Sequence, residues 1–183
     1  KFGNERLFLN GDSSGYSQPV TVNTGFINSL NATSTAKPFG TGAITLNPGG
    51  SIRLAASTNI NASQVTTNSD LGGIAAIGMS YVANPTSLPA ITINSSAPWK
   101  GTLGISAAGF NQNINQSTLW GGGSYLGSLL GDTGTYTGTL TPDGTTYRLG
   151  TGQGTVRIAS PLTGAANGVQ IGLSMTGDVG RAD

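Results

Sequence analysis

The chain has 183 residues, 30 of them glycine, with eight basic and seven acidic side chains, no histidine, no cysteine and a formal net charge of +1. That balance excludes the clustered cationic face that nucleic acid requires and the polybasic or amphipathic segment of a membrane-surface protein, and no apolar run approaches the ~20 residues that span a bilayer. Without cysteine there is no disulfide framework, so the chain occupies a reducing compartment or has a fold that needs no covalent staple.

In chain order, Leu7 with Leu9, Val20 with Val22, Ile44 with Leu46, and Ile52 with Leu54 alternate at the period of a half-buried strand. Gly11 to Gly15, Asn23-Thr24-Gly25 and Asn47-Pro48-Gly49-Gly50 read as turns between them. Pro19 and Pro38 belong at strand starts or corners, because proline cannot donate to a ladder. Leu71, Ile74 and Ile77 are read as buried strand, since Gly72, Gly73 and Gly78 make helix costly there. Ile91 with Ile93 and Leu103 with Ile105 are further strands, and Pro85, Pro89 and Pro98 cut the intervening chain into short pieces. These apolar pairs also argue against disorder, which composition alone would suggest, and glycine follows no three-residue period, so collagen is excluded.

The stretch from Trp120 to Ile171 is the most regular. Tyr125, Tyr136 and Tyr147 recur every eleven residues, and Gly127, Gly138 and Gly150 follow them within three positions. The glycines are read as turn and packing residues, because tight turns often need a positive φ that other residues adopt at a cost. Strands are expected at Thr139-Leu140-Thr141, Tyr147 with Leu149, Val156 with Ile158, and Val169 with Ile171 and Leu173. Turns are expected at Gly131-Asp132-Thr133-Gly134, Pro142-Asp143-Gly144 and Gly150 to Gly154. A strand-to-strand spacing of about ten residues leaves little room for helices, so the class is all-β.

The opening KFGNERLFLNGDSSGYSQPVTVNTGFI resembles the autotransporter-associated β-strand repeat. Lys1, Gly3, Leu7, Leu9, Gly11, Tyr16, Val20, Val22, Asn23 and Gly25 fall on its pattern, while Glu5-Arg6 replaces the usual Gly-Thr and Gln18 stands where glycine is common. Leu119 to Ile171 is similar to the segments between such repeats in giant bacterial surface proteins, through Tyr-Thr-Gly-Thr-Leu and Thr-Tyr-Arg-Leu-Gly; the middle, 55–118, is covered more loosely. The resemblance implies a parallel β-helix and an exported, very long parent protein. With it, the expected fold is a right-handed parallel β-helix (solenoid), with 1–54 as a repeat-like segment and 55–183 as continuing rungs of one structural unit. Strand spacing alone leaves a β-sandwich or fibre-type β domain open as the alternative. A start at Lys1 without methionine or signal peptide leads us to expect a processed product or a piece of something larger.

Chemistry is sparse. Without histidine or cysteine, most nucleophile–base pairs and nearly all transition-metal sites are excluded. Ser34 and Lys37 have the spacing of a serine acyl-transfer motif, but Pro38 disfavours the helix that would bring them together. Glu5, Asp12, Asp70, Asp132, Asp143, Asp178 and Asp183 are candidate glycosidase carboxylates, and Arg148, Arg157 and Lys100 candidate lyase bases. Most of the acids sit in Gly/Ser/Thr turns, where Asp bonds its own backbone. Asp12, Asp132 and Asp143 offer at most weak calcium sites, and no cofactor is expected. Tyr125, Tyr136, Tyr147, Trp99 and Trp120 are read as packing groups between turns in preference to a sugar-stacking platform. Asn31, Asn61, Asn94 and Asn115 form sequons whose expected use is amide hydrogen bonding or hydration. The expected function is therefore structural and non-enzymatic: a secreted or cell-surface fibre subunit, stalk or adhesin segment, not membrane-embedded. Its expected partners are copies of itself end to end, further repeats of a parent chain, or surface glycans. The alternatives are a carbohydrate-binding module and a polysaccharide-acting β-helix enzyme.

Overall fold

The computed structural model describes residues 6–31, 33, 35–61, 63–67, 76–79, 92–93, 101–129, 131–150, 152 and 154–172. Along them run short strands: β1 Arg6–Leu9, β2 Val20–Val22, β3 Gly25–Ser29, β4 Ile44–Leu46, β5 Gly50–Leu54, β6 Val65–Thr67, β7 Ala76–Met79 and β8 Thr92–Ile93. They continue as β9 Thr102–Ile105, β10 Ile114–Asn115, β11 Tyr125–Gly127, β12 Thr133–Tyr136, β13 Leu140–Thr141, β14 Thr146–Leu149, β15 Thr155–Ile158 and β16 Gly168–Ile171. Helix among the described residues is confined to two single turns, Ser57–Asn59 and Leu119–Gly121.

Every ladder between these strands is parallel. The main sheet has eight strands in the order β1-β3-β5-β7-β9-β11-β14-β16; β2-β4-β6-β8 form a second sheet, and β10-β13 and β12-β15 form pairs. Each pass of the chain adds one strand to the main sheet and returns through the others, which makes a β-solenoid. A sandwich needs antiparallel neighbours, so that alternative is removed. The coil length varies, from 20 residues between Arg6 and Phe26 to 26 between Ala76 and Thr102.

One register position carries an aliphatic residue through all eight main strands: Leu7, Ile27, Ile52, Ile77, Leu103, Leu126, Leu149 and Ile171. Ile27, Ile52, Leu103 and Leu126 are buried inside the coils together with Val22, Ile44, Leu46 and Val65 from the second sheet. Each such side chain removed from water stabilises the fold by about 2 kcal/mol, so the core is a stack of small layers rather than one large centre. On the second sheet Thr21, Thr45, Thr66 and Thr92 share the intervening register position.

Several expectations need adjustment. Gly127 is a strand residue of β11 paired with Gly104, not a corner. Thr133 and Gly134 begin β12, so the turn predicted at 131–134 occupies only its first half. Strand β3 carried no alternating signal because Gly25, Phe26, Ile27, Asn28 and Ser29 are all buried. The outer face of the main sheet is covered there, with Leu129 packed on Phe26 and Asp132 reaching Arg53. Of the buried-strand reading at 71–77, Ile77 lies in β7, while Leu71 and Ile74, like Ile91 and Leu173, lie outside the described residues.

Gly138 and Gly150 are constrained in different ways. A Cβ at Gly138 would stand 2.4 Å from the Gln112 carbonyl oxygen and 2.8 Å from that of Asn111, whereas at Gly150 the constraint is its φ of +85°, with nothing nearer than 3.4 Å. Gly138→Ala is expected to cost about 2–4 kcal/mol, by overpacking against backbone that cannot retreat. Gly150→Ala should cost about 1–2 kcal/mol from left-handed strain alone. Chemical denaturation reads both, and a Gly138→Ala variant as stable as its parent contradicts the packing account.

Candidate functional site

The three tyrosines do not stack on one another. Leu126 pairs with Leu149, a step of 23, so the eleven-residue spacing is about half a coil: Tyr125 and Tyr147 enter the main sheet and Tyr136 falls on β12 between them. All three are buried, which leaves them no exposed ring face for a sugar. Tyr136 stacks on Phe110, with ring centroids 6.0 Å apart. Its hydroxyl accepts from the Ile114 N–H at 3.2 Å and faces the carbonyls of Gln112 at 3.0 Å and Thr139 at 2.8 Å. Trp120 is half-buried against the core in a left-handed conformation, with φ of 51°.

Burial pushes the Tyr136 phenol up to about 12, although the Ile114 N–H pulls the other way. Hydrogen bonding from Thr163 instead holds the Tyr147 phenol below its usual range. Because only the unfolded chain releases the Tyr136 proton near pH 10, that tyrosine's contribution is whole below about pH 10 and declines as the pH rises from about 10 to about 12. Urea denaturation at about pH 8 and about pH 11 is expected to show a larger alkaline loss in the wild type than in Tyr136→Phe; equal losses contradict it. At neutral pH Tyr136→Phe should cost about 1–3 kcal/mol by leaving its partners unpaired. Tyr125→Phe should be neutral or stabilising, because the buried Tyr125 hydroxyl has no hydrogen-bond partner among the described residues to lose.

Side-chain amides join successive coils where the strands turn. Asn59 accepts from the N–H groups of Ala55 and Ala56 at 3.0 and 2.9 Å and donates to the carbonyls of Asn31 and Ala36 at 2.9 and 3.3 Å. Gln64 accepts from Asn61 at 2.7 Å and donates to the Gly40 and Gly42 carbonyls at 3.1 and 2.8 Å. Gln116 accepts from the Arg148 N–H at 3.1 Å and donates to the carbonyls of Arg148 and Ser124 at 2.7 and 3.1 Å, in the manner of a strand backbone. Asn47 donates to the Asn23 side chain at 2.6 Å, a stacked amide pair. Sequence reasoning missed Asn59, Gln64 and Gln116; their one signal is an amide set beside strand-forming residues, a pattern shared with exposed amides.

The three candidate acids among the described residues are each engaged separately. Asp12 accepts from the backbone N–H of Lys37 at 2.9 Å and of Ser14 at 3.1 Å, and the Lys37 bond above all holds its carboxyl below the usual range. Asp132 is buried, 3.2 Å from the Arg53 guanidinium and 2.6 Å from the Ser106 hydroxyl that donates to it. Asp143 pairs with Arg148 at 3.2 Å, while Arg157 is exposed on β15. Thus among the described acids Asp12 makes the expected local turn bond, while Asp132 and Asp143 form ion pairs. Among the described residues no group of three or more acids is placed to hold a metal ion. Lys37 donates to the carbonyl of Thr58 at 2.6 Å, and Ser34 lies outside the described residues, as do Glu5, Asp70, Asp178, Asp183, Lys100, Trp99 and Asn94. Asn31 donates to the Asn10 carbonyl at 3.0 Å, Asn115 accepts from the Ser117 N–H at 3.0 Å, and Asn61 is exposed.

What remains as a functional surface is axial. At one end of the main sheet Leu7 is 44% and Phe8 51% exposed, and at the other Val169 is 50% and Ile171 80% exposed. Leu7 and Ile171 are the two ends of the aliphatic column, within which Ile27, Ile52, Leu103 and Leu126 are buried. No described helix is long and apolar enough to cross a membrane. Compared with protein-family models, curated proteins and solved structures, the chain matches none, so its function is argued from its own geometry.

Proposed function

We propose that the chain is a structural segment of a secreted or cell-surface protein, a stiff rod that serves as fibre subunit, stalk or adhesin segment and associates end to end with its own copies. The observation that carries this reading is the aliphatic column, continuous in register through eight parallel strands and exposed at both ends. In such a stack each coil interacts with its neighbours alone, so length adds stiffness without a larger core. An open sheet edge also presents unpaired N–H and C=O groups that favour a further strand, and a net charge of +1 offers little repulsion between copies. The engagement of Asp132 and Asp143 by arginines supports a non-catalytic role.

Sedimentation across a wide concentration range tests the reading. Species that grow with concentration are expected, and a monomer throughout contradicts it. Turnover of an acidic or neutral polysaccharide that Asp143→Asn abolishes would replace it with an enzymatic function.

A further inference from the structure

Resting on that end-to-end reading, we infer that the contact is heterologous: the β16 face bearing Val169 and Ile171 receives the β1 face bearing Leu7 of a second copy, and neither face receives its own like. The parallel ladders give the rod a direction, so its two ends are different surfaces. On β16, Ile171 holds the register position that Ile52 holds on β5. On β5 that position is covered by the next strand, which sets Ile77 opposite Ile52.

On β1, Leu7 is already seated opposite Ile27 on its other side. Placing Ile171 of one copy opposite Leu7 of the next continues the aliphatic column with an unchanged strand direction. Like-on-like contact would turn one copy over and set the terminal strands antiparallel, breaking the register that every internal step keeps. A head-to-tail contact that does not close generates filaments, whereas a like-on-like contact at one end stops at a dimer.

The test uses two variants of the full chain, Ile171→Lys and Leu7→Lys. Each change falls on a solvent-exposed side chain, so folding should persist, and circular dichroism checks it. Each variant alone is expected to sediment as a monomer. Mixed in equal amounts they are expected to form a 1:1 dimer and nothing larger, because one intact β16 face meets one intact β1 face and both outer ends are blocked. Dimers formed by either variant alone would establish like-on-like contact and overturn the inference. A mixture that stays monomeric while the wild type assembles would overturn it too and leave end-to-end association standing. A wild type that stays monomeric would overturn both.

Discussion

Asn59→Leu is expected to lower the unfolding free energy by about 4 kcal/mol or more, the largest effect of any single substitution considered for this chain. Asn59 is fully buried, and its one amide satisfies two N–H groups, of Ala55 and Ala56, and two carbonyls, of Asn31 and Ala36. Leucine has a similar volume, so no cavity is created, but the N–H groups of Ala55 and Ala56 and the Ala36 carbonyl lose this partner, and the Asn31 carbonyl keeps only the longer bond from the Ser29 hydroxyl at 3.4 Å. Each buried polar group left unpaired costs about 1–3 kcal/mol, and the gain from burying leucine offsets only about 2 kcal/mol of that. The amide also ties Asn31 and Ala36 to Ala55 and Ala56 in the coil above, so the loss should spread to both turns. Hydrogen exchange should report faster amides at Ala55 and Ala56, with the distant β14–β15 coil unaffected at first. A leucine variant within about 1 kcal/mol of the parent would mean that water takes over the amide's role.

The second large effect concerns the ion pair on the outer face of the main sheet. Asp132→Ala is expected to cost about 3 kcal/mol, because it strands a largely buried guanidinium at Arg53 and removes the acceptor of the Ser106 hydroxyl. Replacing both partners, as Arg53→Met with Asp132→Leu, should restore most of the loss, since an apolar pair of similar volume carries no desolvation cost. A double-mutant cycle by urea denaturation measures the coupling. If the double variant is no better than Asp132→Ala, the pair contributes through shape and not charge. Asp132 also ends the excursion 128–132, where its N–H donates to the Leu129 carbonyl at 2.9 Å and its carbonyl accepts from Thr155 at 2.9 Å, so both coils should loosen together.

Much of the fold was legible where strands bury one side only, as β2, β4, β6 and β12 do. Val20-Thr21-Val22 and Ile44-Thr45-Leu46 alternate as expected, and their threonines do share one register column. Pro19 stands directly before β2, where it need not donate to the ladder. Strand β3 was hidden because its outer face is covered as well, with Leu129 on Phe26, which removes the polar half of the alternation. Coil boundaries were hidden because the repeat length is not constant, and the regular tyrosine spacing marks half-coils instead of rungs. The amides of Asn59, Gln64 and Gln116 gave no usable signal, since an amide that replaces a backbone rung has the same composition as one in water. The aliphatic column was visible as separate pairs, and only the register joined Leu7 to Ile171.

If copies add along the axis on which the coils stack, electron cryomicroscopy of the concentrated wild-type protein should show threads one solenoid wide that lengthen with concentration, with an axial repeat of about 4.8 Å from strand to strand that continues across the junctions between copies. Separate particles of a single size at every concentration, or threads whose axis lies across the coils, would contradict it.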